Sequence, residues 1–366
     1  MKYCLLGVLL VLTGCAGLKP QAPKKEKNFF NNIWSKNLDA AYVSGNLPIG
    51  LGAPRIFNDI VYMGSVNGVM SAYDVESGRL LWAMNEKTPL GGPVEFFNEH
   101  VAYGGLNGRF FVRHYLSGKL KYAIDLAAPI ESAPVFHGGR LFIYLRGHQI
   151  VQLDAETGKM IWVYKRAVPV TTTLQRTTRP LILGTKVVLG FADGFLGALS
   201  LDEGLLLWET KLVDNSKFVD VDLNPIIAGG MIISGSPSGE LKAINPENGA
   251  IARDFGVSVM AHPLLKGEQL ILGSNDGEVV IMGLDAKILK SAKISKQAIS
   301  AVTWWKDMLV VASFDGKIQA VDPLTLKVVD TFNLGYDFSA VFSDLVTTED
   351  FMALYSSRNH LYLFAK

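Results

Sequence analysis

Apolar and polar positions alternate along this chain in short runs, and no sustained 3.6-residue period is present. Residues 61–65, 69–73 and 79–83 are three such runs near the start of the pattern. Each run is rich in β-branched and aromatic residues and is bounded by turn-forming residues. The pattern therefore predicts an all-β protein built from many short strands.

Turn signals recur at a regular spacing of 38 to 47 residues. Each is a glycine that follows a polar or charged residue, with asparagine in the last copy: Gly68, Gly108, Gly147, Gly194, Gly239, Gly277, Gly316 and Asn359. A second turn follows ten or eleven residues later in five copies, and four of these then carry an aromatic residue: Trp82, Tyr122, Trp162 and Trp208. A repeat of this length with four short strands is typical of one propeller blade. We therefore expect residues 29–366 to form an eight-bladed β-propeller of WD40-like or PQQ-like architecture, with these aromatic residues packed in the core.

The eighth repeat stops after residues 361–365 and lacks its outermost strand. A ring left open there would expose two strand edges. The missing segment is present at the other end of the chain, where residues 33–38 are similar to the outer strand at 207–212. The sequence thus predicts that the N-terminal strand, which contains Trp34, completes the eighth blade.

The first residues have the features of a secretion signal. A short basic start is followed by an apolar stretch at 4–12, which is far shorter than the ~20 residues of a membrane-spanning helix. Leu12-Thr13-Gly14-Cys15 resembles the bacterial lipobox, which implies removal of residues 1–14 and acylation (diacylglyceryl and palmitate) of Cys15. Ala16, in place of aspartate, implies transfer to the outer membrane. Residues 15–28 are predicted to form the lipidated, flexible tether.

Composition narrows the function classes. The 35 basic and 34 acidic residues nearly cancel, which argues against nucleic-acid binding. The two cysteines, Cys4 and Cys15, both lie near the N-terminus, and the six histidines show no metal-ligand spacing. No phosphate-binding or nucleophile motif is present. We therefore expect no catalytic residues, no metal and no cofactor.

Two segments resemble the repeat of the pyrroloquinoline-quinone (PQQ) enzymes, namely residues 72–82 and 153–162, which both end in tryptophan. Together with the lipobox and the chain length, they make residues 15–366 similar to the BamB family, the lipoproteins of the outer-membrane β-barrel assembly machinery (BAM complex). The resemblance implies a non-enzymatic scaffold on the periplasmic side of the outer membrane. It also implies docking on the POTRA domains of BamA beside other BAM subunits, and it leaves open direct contact with nascent outer membrane proteins.

Two connections between repeats are longer than the others, at residues 166–179 and 213–224, and they are predicted to emerge on the same face of neighbouring blades. In the BamB family these connections carry the contact with BamA. By that resemblance, the partner-binding residues are Thr172, Leu174, Gln175, Arg176, Asp220 and Asp222. The Asp-x-Asp match is complete, whereas Thr172 replaces an apolar family residue and the arginine is shifted by one. Solvated loops, a turn-capping aspartate pair or a loose cation site are the alternatives.

Two other function classes are considered. Quinoprotein dehydrogenases share the repeat, but they use a disulfide between adjacent cysteines and a Ca²⁺ site, and this chain has no cysteine after Cys15. The sequence also leaves open a third class, a generic periplasmic propeller that binds carbohydrate or peptide through its central channel.

Overall fold

The structure, a computed structural model, describes residues 28–39, 52–167, 178–214, 219–335 and 339–366. These residues form eight four-stranded antiparallel sheets, which are the blades of a β-propeller. The predicted all-β, eight-bladed fold is confirmed. The described ranges contain no helix that is long and apolar enough to cross a membrane.

The strands follow one another in chain order, with four consecutive strands in each of the first seven blades, and the last three strands belong to blade 8. They are β1 (Asn31–Asn37), β2 (Arg55–Phe57), β3 (Ile60–Gly64), β4 (Val69–Asp74), β5 (Leu80–Asn85), β6 (Glu95–Phe97), β7 (His100–Gly104), β8 (Arg109–His114), β9 (Leu120–Asp125), β10 (Val135–His137), β11 (Arg140–Leu145), β12 (Gln149–Asp154), β13 (Met160–Lys165), β14 (Leu181–Leu183), β15 (Lys186–Gly190), β16 (Phe195–Ser200), β17 (Leu206–Lys211), β18 (Ile226–Ala228), β19 (Met231–Ser234), β20 (Lys242–Ile244), β21 (Ile251–Asp254), β22 (Leu264–Lys266), β23 (Gln269–Gly273), β24 (Glu278–Gly283), β25 (Ile288–Lys293), β26 (Ile299–Trp305), β27 (Met308–Ser313), β28 (Lys317–Val321), β29 (Val328–Asn333), β30 (Val346–Thr347), β31 (Phe351–Tyr355) and β32 (His360–Ala365). Blade 1 is thus β2–β5, and blade 7 is β26–β29.

Blade 8 is completed by the N-terminal strand, as predicted. Its sheet has the order β1-β32-β31-β30, and β1 pairs antiparallel with β32 from Asn31 opposite Ala365 to Asn37 opposite His360. The residues just before β1 are fixed to blade 7, because the Lys306 ammonium donates to the Phe29 and Ala365 carbonyl oxygens at 3.0 and 2.7 Å. It also lies 4.0 Å from the centre of the Trp305 ring. The two ends of the chain therefore close one indivisible ring.

The burial pattern explains why the strands have different compositions. The second and third strands of a blade pack against a neighbouring blade on both sides, so β3 is buried along its whole length. Adjacent side chains serve different interfaces: Tyr62 packs toward blade 2, whereas Val61 and Met63 pack toward blade 8. Outer strands alternate between exposed and partly buried residues, as in β13. The apolar core is accordingly divided into eight clusters, one for each blade interface of the described ring.

The outer-strand aromatic residues join each blade to the next. The Trp34 indole donates to the Val75 carbonyl oxygen at 2.8 Å and covers Gly78, whose φ is +66°. A Cβ at Gly78 would lie 2.8 Å from Trp34 Cγ, so both the space and the backbone conformation require glycine. The same indole or hydroxyl donation to the next blade recurs at Trp82, Tyr122, Trp162 and Trp208. The prediction that these residues pack between blades is confirmed.

The ring has two distinct faces. The connection face carries the segments that lead from an outer strand to the next inner strand, and also the turns between second and third strands. The two kinds of segment are hydrogen-bonded to each other, for example from Leu126 N–H to Gly108 O and from Leu212 N–H to Gly194 O. The hairpin face carries the remaining turns. Gly239 differs from the other predicted turn glycines because it is not among the residues with positive φ, and its turn is followed by the short strand β20.

Candidate functional site

The described ends of both long connections lie on the connection face, as the sequence predicted. The connection at 166–179 joins β13 to β14, and the connection at 213–224 joins β17 to β18. Two other connections are also long, at residues 38–54 and 334–345, on either side of blade 8. The repeat spacing did not reveal these two, because they adjoin the blade that is split between the chain ends.

Several predicted residues cannot be placed. Thr172, Leu174, Gln175 and Arg176 lie outside the described residues, as does Cys15. The end of this connection is described: Thr178 is fully buried, and its hydroxyl accepts the Gly190 N–H at 3.2 Å.

The two predicted aspartates have different environments. Asp220 is only 3% exposed, and the Val221 N–H donates to the Phe191 carbonyl oxygen at 3.1 Å, which holds this segment against blade 4. Asp222, two residues on, is partly exposed and lines the mouth of the central channel. Asp222 is therefore partly accessible at the rim of the channel, whereas the Asp220 side chain lies beneath the surface.

A charged cluster supports the start of the first long connection. The Arg166 guanidinium donates to Asp193 Oδ2 at 2.7 Å and to Glu209 Oε2. It also lies 4.8 and 5.0 Å from the centres of the Phe191 and Phe195 rings. The two carboxylates raise the pKa of Arg166 further above its usual range, although burial opposes them. This arginine of blade 3 is thus fixed to blade 4 by two ion pairs and two ring contacts.

A buried histidine lies beside this cluster. His148 is 4% exposed, and its carbonyl oxygen accepts the Arg166 N–H at 3.0 Å. Burial lowers the pKa of the His148 imidazole, and the nearby Asp193 and Asp220 carboxylates oppose that shift only in part. Burial also raises the pKa of Tyr144 above its usual range. The Tyr144 hydroxyl donates to the Gly190 carbonyl oxygen at 3.0 Å. The base of both connections is therefore a closely packed polar layer.

The mouth of the central channel is a second candidate site, which the sequence did not predict. An ion pair crosses it from Arg179 Nη2 to Glu95 Oε2 at 2.8 Å and joins blade 4 to blade 2. The Arg179 N–H donates to Asn224 Oδ1 at 2.7 Å, and the Asn224 N–H donates to His262 Nδ1 at 3.1 Å. Arg179, Asn224 and His262 each directly precede the proline that opens a blade. This shared position is the sequence feature that could have indicated the site.

Across the described ranges, no group of three or more histidine, aspartate or glutamate side chains has the geometry of a metal site. The arrangement offers ion pairs, hydrogen-bond donors and shaped loops, which suit binding.

Comparisons with known proteins agree with this geometry. A family model described as "Outer membrane protein assembly factor BamB" matches residues 66–287. The chain is 25% identical over 346 residues to the BamB protein of Kangiella koreensis, which spans 91% of this chain and 88% of the relative. The fold is similar to that of BamB from Moraxella catarrhalis, with a TM-score of 0.77 and 18% identity over 92% of this chain and all of that one. A shorter match, 28% identical over 130 residues, is to the quinoprotein alcohol dehydrogenase PedH of Pseudomonas putida, and it covers 33% of this chain and 22% of the enzyme.

Proposed function

Since this chain belongs to the BamB family of outer membrane protein assembly factors, we propose that it is a non-enzymatic scaffold lipoprotein of the BAM complex. In this role it docks on the POTRA domains of BamA and holds them in place while outer membrane proteins are assembled and inserted. It needs no energy source of its own. By keeping assembly components close together, it raises their effective concentration.

The observation that carries this proposal is the pair of adjacent long connections on the connection face. Their described ends rest on a fixed base, because Arg166 is held by blade 4 and Thr178 is hydrogen-bonded to β15. Fixing the ends of a loop reduces the conformational entropy that the loop loses when a partner binds it. Asp222 adds a partly exposed acidic side chain at the edge of this face, where its charge favours the approach of a basic residue of the partner.

Capture of the purified POTRA domains of BamA by the protein tests this docking surface. We expect Leu174→Ala and Asp222→Ala each to weaken capture by about tenfold or more, because central interface residues carry most of the binding energy. Asp202→Ala is the matched control, since Asp202 is an exposed aspartate in the turn between β16 and β17 on the hairpin face. If all three variants captured the POTRA domains as well as the unmodified protein does, the assignment would be refuted. Asp220→Asn is expected to change the free energy of unfolding in addition to capture, because Asp220 is buried.

The lipid anchor on Cys15 is tested separately. We propose that the acylated Cys15 holds the ring at the periplasmic side of the outer membrane. Cys15→Ala should abolish labelling with radioactive palmitate and release the protein from the outer-membrane fraction. Retention of the unlabelled variant in that fraction would show that another contact anchors it.

The absence of catalysis is also a proposal, since a quinoprotein dehydrogenase shares part of the repeat. The purified protein, supplied with PQQ, Ca²⁺ and a primary alcohol, is expected to reduce no electron-accepting dye. Turnover that depends on the quinone would overturn the scaffold assignment.

A further inference from the structure

The two long connections are attached to a common turn at their outer ends. This turn, between β15 and β16, contains Asp193 and Gly194. The Asp193 carboxylate accepts a hydrogen bond of 2.7 Å from the Arg166 guanidinium, at the start of the first connection. The Gly194 carbonyl oxygen accepts the Leu212 N–H at 2.8 Å, just before the second connection begins. Both connections therefore start from the same turn of blade 4.

The connections also meet at their inner ends, beside the channel mouth. The Arg179 N–H, at the end of the first connection, donates to Asn224 Oδ1, at the end of the second, at 2.7 Å. The Arg179 guanidinium extends to blade 2, where it pairs with Glu95 Oε2 at 2.8 Å. Asn224 is fixed by its own N–H, which donates to His262 Nδ1 of blade 6 at 3.1 Å. Arg179 is thus the residue that joins both connections to blade 2.

Glu95 is a fixed attachment point for this arginine. Its side chain is largely buried, and the Phe136 backbone of blade 3 also hydrogen-bonds to its carboxylate. Burial raises the pKa of Glu95, whereas the positive charges of Arg179 and Arg55 oppose that shift. A charge-assisted hydrogen bond at a partly buried site is stronger than the same bond in water. The ion pair therefore restricts the movement of Arg179.

The inner joint, which consists of Glu95, Arg179 and Asn224, adjoins both predicted docking segments. Residues 172–176 come shortly before Arg179, and Asp222 comes shortly before Asn224. Between Asp222 and Asn224, the buried Leu223 is held by its carbonyl oxygen, which accepts the Ser234 hydroxyl at 3.1 Å. The position of the docking residues is therefore linked to the joint by short, anchored stretches of chain.

We propose that Arg179 is a positioning residue for partner docking, which holds the two long connections in one arrangement through Glu95 and Asn224. This proposal rests on the proposed function, because the partner is the one that docks on these connections. With the inner joint intact, the ends of both connections are ordered before the partner arrives, so binding loses less conformational entropy. When the joint is broken, the two ends move independently and docking is weaker.

Amide hydrogen exchange of the purified protein, without any partner, tests the inner joint first. Glu95→Gln removes the charge that fixes Arg179. Glu95 is joined to the second connection through Arg179, so exchange in residues 219–224 measures the coupling. We expect these amides to exchange about fivefold to tenfold faster in Glu95→Gln, which is the value of one charge-assisted hydrogen bond at a partly exposed site. Mass spectrometry of peptides that cover these residues gives the rates.

Two kinds of variant serve as controls. Glu131→Gln is matched to Glu95→Gln, because both side chains are similarly buried (11% and 14% exposed) and Glu131 pairs with a different arginine, Arg146, at 2.5 Å. It should leave exchange in residues 219–224 unchanged. Asn224→Leu removes the acceptor of the Arg179 N–H and should speed exchange at the end of the first connection, in residues 178–190. Asn224→Asp keeps an acceptor oxygen and should preserve the slow exchange. The two Asn224 variants decide the matter if Glu95→Gln fails to fold.

Capture of the POTRA domains of BamA then measures the consequence for docking. Glu95→Gln and Asn224→Leu should each weaken capture about fivefold or more, whereas Glu131→Gln and Asn224→Asp should capture as well as the unmodified protein. If the unmodified protein captures nothing, the proposed function fails and this docking role fails with it. If it captures the domains, and folded Glu95→Gln and Asn224→Leu do so equally well, only the role of Arg179 is overturned. Unchanged exchange in residues 219–224 of folded Glu95→Gln, or the same exchange in Glu131→Gln, would overturn that role without reference to BamA.

Discussion

Replacing Arg166 by methionine removes the main link between the start of the first long connection and blade 4. The side chain is 14% exposed and pairs with Asp193 and Glu209, which are 19% and 35% exposed. Methionine keeps much of the apolar contact with the Phe191 and Phe195 rings, but it leaves both carboxylates without their cation. The variant therefore isolates the electrostatic part of the link.

The expected loss follows from the degree of burial. Removing one partner of a fully buried ion pair costs about 3–5 kcal/mol, whereas exposed pairs contribute about 0–1 kcal/mol. This cluster is partly exposed, so we expect a decrease of about 3 kcal/mol in the free energy of unfolding. With an unfolding entropy of ~2.1 cal/mol/K per residue, a ring of ~340 residues has about 0.7 kcal/mol/K in total. The decrease in Tm should therefore be about 4 °C.

Differential scanning calorimetry of the purified protein measures this shift. Arg140→Met is the matched control, because Arg140 and Asp202 are 35% and 73% exposed. Its Tm should fall by about 1 °C or less. Equal shifts in the two variants, or a shift below ~1 °C for Arg166→Met, would refute the reasoning that this cluster fixes the connection to blade 4.

Three further predictions follow from other parts of the ring. Gly78→Ala should lower the free energy of unfolding by at least ~1 kcal/mol more than Gly139→Ala, because both glycines have positive φ but only a Cβ at Gly78 meets a tryptophan ring; urea unfolding of both variants measures the difference. His148 keeps a lowered pKa in the folded ring, so the unfolded chain binds its proton first and stability should fall as the pH drops below about 6.5. In His148→Gln, the decrease in Tm between about pH 7.5 and 5.5 should be smaller, and an unchanged decrease would contradict this role. Glu86 is 6% exposed and accepts hydrogen bonds from Arg113 at 2.7 and 3.0 Å. Glu86→Gln should therefore lower the free energy of unfolding by about 3 kcal/mol, because it leaves the Arg113 charge unpaired. In a double-mutant cycle, adding Arg113→Met should restore part of that free energy.

The ring could be predicted from the sequence because its determinants are local and repeated. Seven repeats carry a turn glycine and the eighth carries Asn359, and in four of them an outer aromatic residue follows at a nearly constant spacing. The similarity of residues 33–38 to the outer strand at 207–212 identified Trp34 as part of an outer strand, although its blade lies at the other end of the chain. Repetition thus compensates for the weakness of each single motif.

The channel mouth could not be predicted in this way. Arg179 and Glu95 belong to repeats that are not consecutive along the chain, and they meet only because the ring brings the inner strands together. The aspartate pair shows a related limit. The sequence presents Asp220 and Asp222 as equivalent, but packing of Val221 against blade 4 buries the first and leaves the second at the rim.

The direction of β1 has a mechanical consequence. The chain enters the ring on the hairpin face, beside Lys306, and β1 then runs to the connection face. A strand of seven residues spans about 23 Å at ~3.3 Å per residue. The ring therefore acts as a spacer, since a molecule held at the connection face is kept at least one strand length from the point where the N-terminal segment departs. A pull on that segment loads the β1–β32 ladder in shear, with its hydrogen bonds sharing the force.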